Sequence, residues 1–174
     1  MRWIAYSAYS VNSSRDAAHM QPSESTWVAL KGSFVTQEDA VQAQQMISTH
    51  PDVRGSTNDA LIRCIEECYS CAQTCTSCAD ACLAEPKVQE LTQCIRLNLD
   101  CADICSVTGR ISTRRTGSDE EVIRRMLDVC AAACRLCGDE CKRHASTHEH
   151  CRICADACRR CMQACEEAGR SMAH

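Results

Sequence analysis

Eighteen cysteines crowd into one part of this 174-residue chain, all between Cys64 and Cys165. Their spacing is regular. Cys64, Cys68, Cys71, Cys75, Cys78 and Cys82 follow one another at steps of four and three. Cys130, Cys134, Cys137 and Cys141 repeat that alternation, as do Cys151, Cys154, Cys158, Cys161 and Cys165. Cys94, Cys101 and Cys105 follow the same rule with one position skipped. Thiols support three chemistries, namely disulfide bonding, redox exchange and the binding of soft metal ions as thiolates. Spacing discriminates among them.

Residues three or four apart on a helix have nearly parallel Cβ directions, which suits a disulfide badly; cross-helix bridges remain geometrically open. Zinc takes four thiolates in a closed tetrahedron, commonly from turns rather than facing helices. Eighteen cysteines would make four such sites with two left over, placing about eight negative charges in the core, an expensive burial. Iron–sulfur clusters draw on tight CxxCxxC runs, and none occurs. Cu(I) is soft and favours thiolate. A CxxC or CxxxC pair on one helix face grips an ion between two sulfurs, and sulfurs bridge to neighbouring ions. Exchange of each thiol proton for one Cu(I) keeps the core neutral, so the expected load is on the order of one ion per cysteine.

Such thiols must be held by helices. Alternating steps of three and four mark the a/d seam of a bundle, where Leu normally sits. Leu61, Ile123, Leu127 and Met172 extend the seams beyond the cysteines. The chain is 45% apolar but only 3% aromatic, so Ala and Cys must fill the core. A buried cysteine often acts as a small hydrophobe, but four seams of thiols would leave a core underpacked. That space is suited to ions.

The first helix is expected from about Asp59, with Asn58 as cap, to Ala84, and the second from Lys87 to Ser112, with Pro86 at its start. Ser118 with Glu121, and Ser146 with Glu149, read as capping boxes for the third and fourth, the third running to about Ala145. Thr113 to Gly117 reads as a loop. Short connections imply antiparallel neighbours, so the expected fold is all-α, an up-down-up-down four-helix bundle with a cysteine-lined core over residues 58–174. Residues 36–57 read as a short helix, Gln37 to Thr49, with a linker, and residues 1–35 as a disordered extension.

His144 and His148 continue the third seam and His150 adjoins Cys151. These three imidazoles mark one end as the expected metal entrance; the alternative is solvated histidines stabilised by the helix dipole. Leu61, Ile111, Ile123, Leu127 and Met172 read as an apolar plug at the other end. Asn98 stands on the second seam and is read as fixing register rather than touching metal. Met126 and Met162 read as packing, and His19, His50 and His174 as incidental.

The runs CIEECYSCAQTCTSCADAC (64–82), CAAACRLCGDEC (130–141) and HASTHEHCRICADACRRCMQAC (144–165) resemble the cytosolic copper storage protein family. The resemblance covers about residues 59–172; residues 1–35 do not resemble the family's usual beginning. It implies a four-helix bundle holding many Cu(I) ions, usually as a homotetramer, with a similar histidine cluster at the copper entrance.

A net charge of -4 gives no electrostatic reason to expect nucleic acid or anionic membrane as a partner. No apolar run approaches the roughly 20 residues that span a bilayer. The opening MRWIAYSAYSVNSSRD makes a poor signal peptide, so the expected location is cytoplasmic, where thiols stay reduced. No nucleophile–base pair, phosphate loop or open metal site with a positioned base is evident, so no enzyme is expected. The expected function is copper storage and buffering. The alternatives are a Cu(I) metallochaperone, which favours one exposed site, and a zinc or thiol redox buffer, which needs reactive thiols near the surface.

Overall fold

Asn58 opens the bundle. Its side-chain oxygen accepts the Leu61 N–H at 3.1 Å, and its amide donates to Ser171 Oγ at 3.0 Å, tying the start of one helix to the end of another. The computed structural model describes residues 42–53 and 57–172; the reading of residues 1–35 lies outside them. Among the described residues are a short helix, α1 (Ala43–Ser48), and four long ones: α2 (Asp59–Leu83), α3 (Thr92–Ser112), α4 (Glu120–His144) and α5 (Glu149–Ser171). The start of the expected Gln37 helix also lies outside the described residues.

α2, α3, α4 and α5 form a ring in which each packs on its two chain or ring neighbours. Side-chain pairings fix the directions. Cys64 meets Cys165 and Cys75 meets Cys154, so α2 and α5 run antiparallel. Cys94 meets Cys141 and Cys105 meets Cys130, so α3 and α4 do too. The expected up-down-up-down bundle is the observed fold.

Three starts differ from expectation. Residues Val88–Leu91 form a 3₁₀ turn before α3, and this tighter turn carries Leu91 into the core. Asp119, not Ser118, caps α4, accepting the Val122 N–H at 3.1 Å. The Glu121 carboxylate is engaged by Arg124 and Arg125 instead of reaching back to the cap. α5 starts at Glu149 without a side-chain cap bond; Glu149 pairs with Arg152, so the expected box with Ser146 does not form. Gly117, at φ 56°, turns the chain in the left-handed region just ahead of α4.

The plug forms at the end where α2 begins. Leu61, Ile123 and Leu127 are buried, with Ile111 and Met172 packed against them. α1 adds Ile47 to this cluster, and Val53 packs on it. His50 accepts the Asp52 N–H at 3.1 Å and lies 3.2 Å from Thr116 Oγ1, which gives it a role in holding this segment. Among the described residues no helix is long and apolar enough to cross a membrane.

Candidate metal centre

Each helix contributes its thiols because the a/d register turns them to the axis. All eighteen are buried, none more than 2% exposed, and all are free thiols. They form one continuous column. Near the plug Cys64 and Cys165 lie 3.4 Å apart, and Cys105 lies 3.5 Å from Cys134 and 3.6 Å from Cys130. At mid-height Cys75 is 3.6 Å from both Cys154 and Cys158. Contacts cross the ring as well, as between Cys68 and Cys130 at 3.8 Å.

Compact foursomes recur along the column, with ligand atoms within 4.8 Å of one another. They include Cys68, Cys130, Cys161 and Cys165, then Cys71, Cys101, Cys105 and Cys134, then Cys75, Cys137, Cys154 and Cys158. Metal–sulfur bonds of about 2.3 Å set tetrahedral S···S edges near about 3.8 Å, so ions fit among these sulfurs with small adjustments. A further foursome, Cys71, Cys75, Cys101 and Cys158, shares members with the last two, which makes bridging the natural mode.

Protonation varies along the column. The hydrogen bond with Cys165, then that with Cys68, pulls the Cys64 thiol down to about 5. Burial, reinforced by the nearby Cys82, pushes Cys151 up to about 12. Thiol bonds with Cys137 and Cys141, together with burial, push Cys154 up to about 11.

Asn98 sits inside the column, wholly buried. Its Oδ1 accepts S–H bonds from Cys154 at 2.9 Å and Cys137 at 3.3 Å, while Nδ2 donates to the Cys94 carbonyl at 2.9 Å. The residue read as fixing register is thus also a thiol partner.

At the other end the three histidines separate. His150 touches the column, its Nδ1 lying 3.4 Å from Cys151 Sγ and 3.5 Å from Cys78 Sγ; with Cys78, Cys82 and Cys151 it makes a mixed foursome. His148 joins it through Glu85, whose Oε1 is 2.9 Å from His148 Nδ1 and 3.1 Å from His150 Nε2. His144 turns aside, its Nε2 3.2 Å from Glu140 Oε1. Met162 is half-buried at the core's edge, in keeping with packing.

Residues 57–170 match the family described as copper storage protein. The chain belongs to the copper storage protein family. Among solved members, the copper storage protein Ccsp of Streptomyces lividans, in a structure loaded with 10 copper equivalents, is 53% identical, with TM-score 0.71 over 74% of this chain and 98% of that one. The Cu(I)-bound copper storage protein BsCsp3 of Bacillus subtilis is 39% identical, with TM-score 0.54 over 64% of this chain and 95% of its own. A curated relative, the uncharacterized cysteine-rich protein YhjQ of Bacillus subtilis (strain 168), is 38% identical over 110 residues, 63% of this chain and 93% of that protein.

Within this family member, sequence reasoning passed over Glu85 and two seam residues of α3. Glu85 lies three positions past Cys82, so extending the first seam one step would have found it. Thr108 and Ser112 continue the α3 seam beyond Cys105 and are fully buried. Thr108 donates to the Ile104 carbonyl at 2.8 Å, which lets a hydroxyl take a place in the plug.

Proposed function

We propose that this chain stores and buffers Cu(I), taking ions into its thiol column in place of thiol protons and so limiting free copper. The observation that supports this best is that all eighteen cysteines are buried on four facing seams as one column of free thiols. A column shaped for capacity favours storage over a metallochaperone, which needs one exposed, exchangeable site. Burial likewise disfavours a thiol redox buffer. No catalytic role is assigned, in keeping with a family named for storage. A cytosolic setting is supported by a Streptomyces lividans relative, 58% identical, that is described as a cytosolic copper storage protein.

The metal entrance is the end bearing His148 and His150, because the opposite end is filled by the apolar plug. His144, at the rim beside Glu140, belongs to the approach rather than to the column's own lining. A homotetramer is the proposed assembly, and Val122, Val129 and Leu136 support it as an exposed apolar stripe at heptad spacing on α4; light scattering would read it directly.

Anaerobic titration of the reduced, metal-free protein with Cu(I) against a competing chelator tests the storage reading. Saturation on the order of one ion per cysteine is expected. Saturation at one or two ions would overturn it.

A further inference from the structure

Glu85 occupies a fixed point at the mouth. Its backbone N–H donates to the Cys82 carbonyl at 3.3 Å, one residue past the cap of α2, and Pro86 follows it and restricts the chain's direction. From there its Oε1 reaches two imidazoles at once, His148 Nδ1 at 2.9 Å and His150 Nε2 at 3.1 Å. The rings stand at the N-cap of α5 and in its first turn, with centroids 5.4 Å apart. One oxygen thus engages opposite nitrogens on its two neighbours. On His150 the remaining nitrogen, Nδ1, faces the column, 3.4 Å from Cys151 Sγ, 3.5 Å from Cys78 Sγ and 3.9 Å from Cys82 Sγ. His148 instead lines a cavity of about 500 Å³ together with Glu85, Glu90 and His144, and His150 stands outside it.

An ionised carboxylate oxygen can only accept, so each nitrogen facing Glu85 carries a hydrogen. In a neutral imidazole the other nitrogen then keeps a free lone pair. The hydrogen bond made by one ring nitrogen decides whether the other can bind metal, and a carboxylate is a common partner in that place. His150 is thereby set to offer Nδ1 as a ligand beside Cys78, Cys82 and Cys151, with which it forms the mixed foursome. The reverse form would aim an N–H at those sulfurs and withhold the nitrogen. Before copper arrives a neighbouring S–H can satisfy Nδ1, and that proton is the one Cu(I) displaces. His148 is set the opposite way, with its Nε2 left bare.

We propose that Glu85 is the positioning residue of the copper entrance. By accepting from both rings it fixes His150 in its Nε2–H form and His148 in its Nδ1–H form, so that one bare nitrogen faces the thiols and another serves the arriving ion. Glu85 binds no metal in this role. It presets two ligands of complementary direction, so that neither ring has to exchange a proton between its nitrogens while copper passes. The proposal rests on the reading of this end as the copper entrance.

The test has a spectroscopic arm and a kinetic arm, both on the full, reduced chain. Long-range proton–nitrogen correlation spectra of the metal-free protein with isotopically labelled histidine, at about pH 8 where an ordinary imidazole is neutral, report which ring nitrogen carries the proton. His148→Ala and His150→Ala assign the signals. The native chain should show His150 as Nε2–H and His148 as Nδ1–H. Glu85→Ala should leave both rings mixed, and Glu85→Gln, which keeps an oxygen acceptor in place, should restore the native forms at least in part. The reverse forms, or doubly protonated rings, in the native chain would overturn the proposal, as would native forms persisting in Glu85→Ala. In the second arm Cu(I) is supplied anaerobically from a chelator complex and uptake is followed in time. Glu85→Ala should slow loading by about 10–100-fold, the usual cost of losing a ligand's outer hydrogen-bond partner, with Glu85→Gln in between and the final capacity lowered by no more than about one ion. Slow loading in His150→Ala with native loading in Glu85→Ala would overturn positioning alone. Native loading in His148→Ala, His150→Ala and Glu85→Ala together would overturn the entrance reading and the proposal with it. A native capacity of one or two ions would count against storage, independently of the spectra.

Discussion

Replacing Asn98 with Ala and with Leu separates two reasons for a buried amide in the column. Truncation to Ala removes the acceptor of the 2.9 Å Cys154 bond and of the 3.3 Å Cys137 bond, and the donor to the Cys94 carbonyl. Thiols are weak donors that tolerate the loss, and the Cys94 carbonyl keeps its helical N–H. The hydrogen bonds together are therefore worth about 1–2 kcal/mol, and the residual cavity adds about 1–2 kcal/mol. Asn98→Ala should cost about 3 kcal/mol. Leu has the same branched outline and number of side-chain heavy atoms, its larger methyls have room in a column of small thiols, and burying its apolar surface returns about 1.5–3 kcal/mol, so Asn98→Leu should stay within about 1 kcal/mol of the native chain. The assay is urea unfolding of the reduced, metal-free protein followed by circular dichroism. With a slope of about 2 kcal/mol per molar, Ala should lower the midpoint by about 1.5 M and Leu by no more than about 0.5 M. If Leu is as damaging as Ala, the amide itself holds the four helices in register, and the reasoning from weak thiol bonds is wrong.

Leu127→Ala, at a fully buried position of the plug, should cost about 2–5 kcal/mol in the same assay; a loss under about 1 kcal/mol would mean the plug is not packed. Gly169→Ala should stabilise α5 by up to about 1 kcal/mol, since an added Cβ there meets nothing within 4 Å. Gly138→Ala should give no such gain, because its Cβ would stand 3.2 Å from the Cys158 Cβ; equal thermal shifts for the two would refute the close approach of α4 and α5. Cys151 and Cys154 are raised from an ordinary 9.0 to about 12 and about 11, so their contribution to stability is present below pH 9 and lost as pH climbs through those values. The metal-free protein should accordingly melt earlier in that alkaline window, and a melting temperature that rises there would contradict it. The thiols held above neutrality should give up their protons on loading at neutral pH, up to about one per ion bound, read by a pH indicator in weak buffer; loading without acidification would exclude thiol exchange.

Much of this molecule is legible because one periodicity carries both fold and site. The step of three and four that makes α2, α4 and α5 amphipathic is the step that lines up their cysteines, so placing the helices places the ligands. What escaped was set by competition among side chains at helix ends. Ser118 and Glu121 fit a capping box, but nothing in their spacing reveals that Arg124 and Arg125 claim the carboxylate. His144 shares a seam with His148, yet Glu140, one turn back on α4, holds it away. Glu85 was hidden for another reason. It stands one seam step past Cys82, but α2 ends at Leu83, and its partners His148 and His150 are set only when the start of α5 comes to rest against it.

On the proposed reading that copper enters at the histidine end, the plug also bears on the traffic. A narrow store sealed at one end by Leu61, Ile123 and Leu127 and served from the other would work as a stack. Ions passed down to Cys64 and Cys165 would leave only after the layers above them empty, so residence time would become a function of depth. Two batches of isotopically distinct copper, loaded in succession, would then come back in reverse order, and a half-full store would give up its newest copper while keeping its oldest.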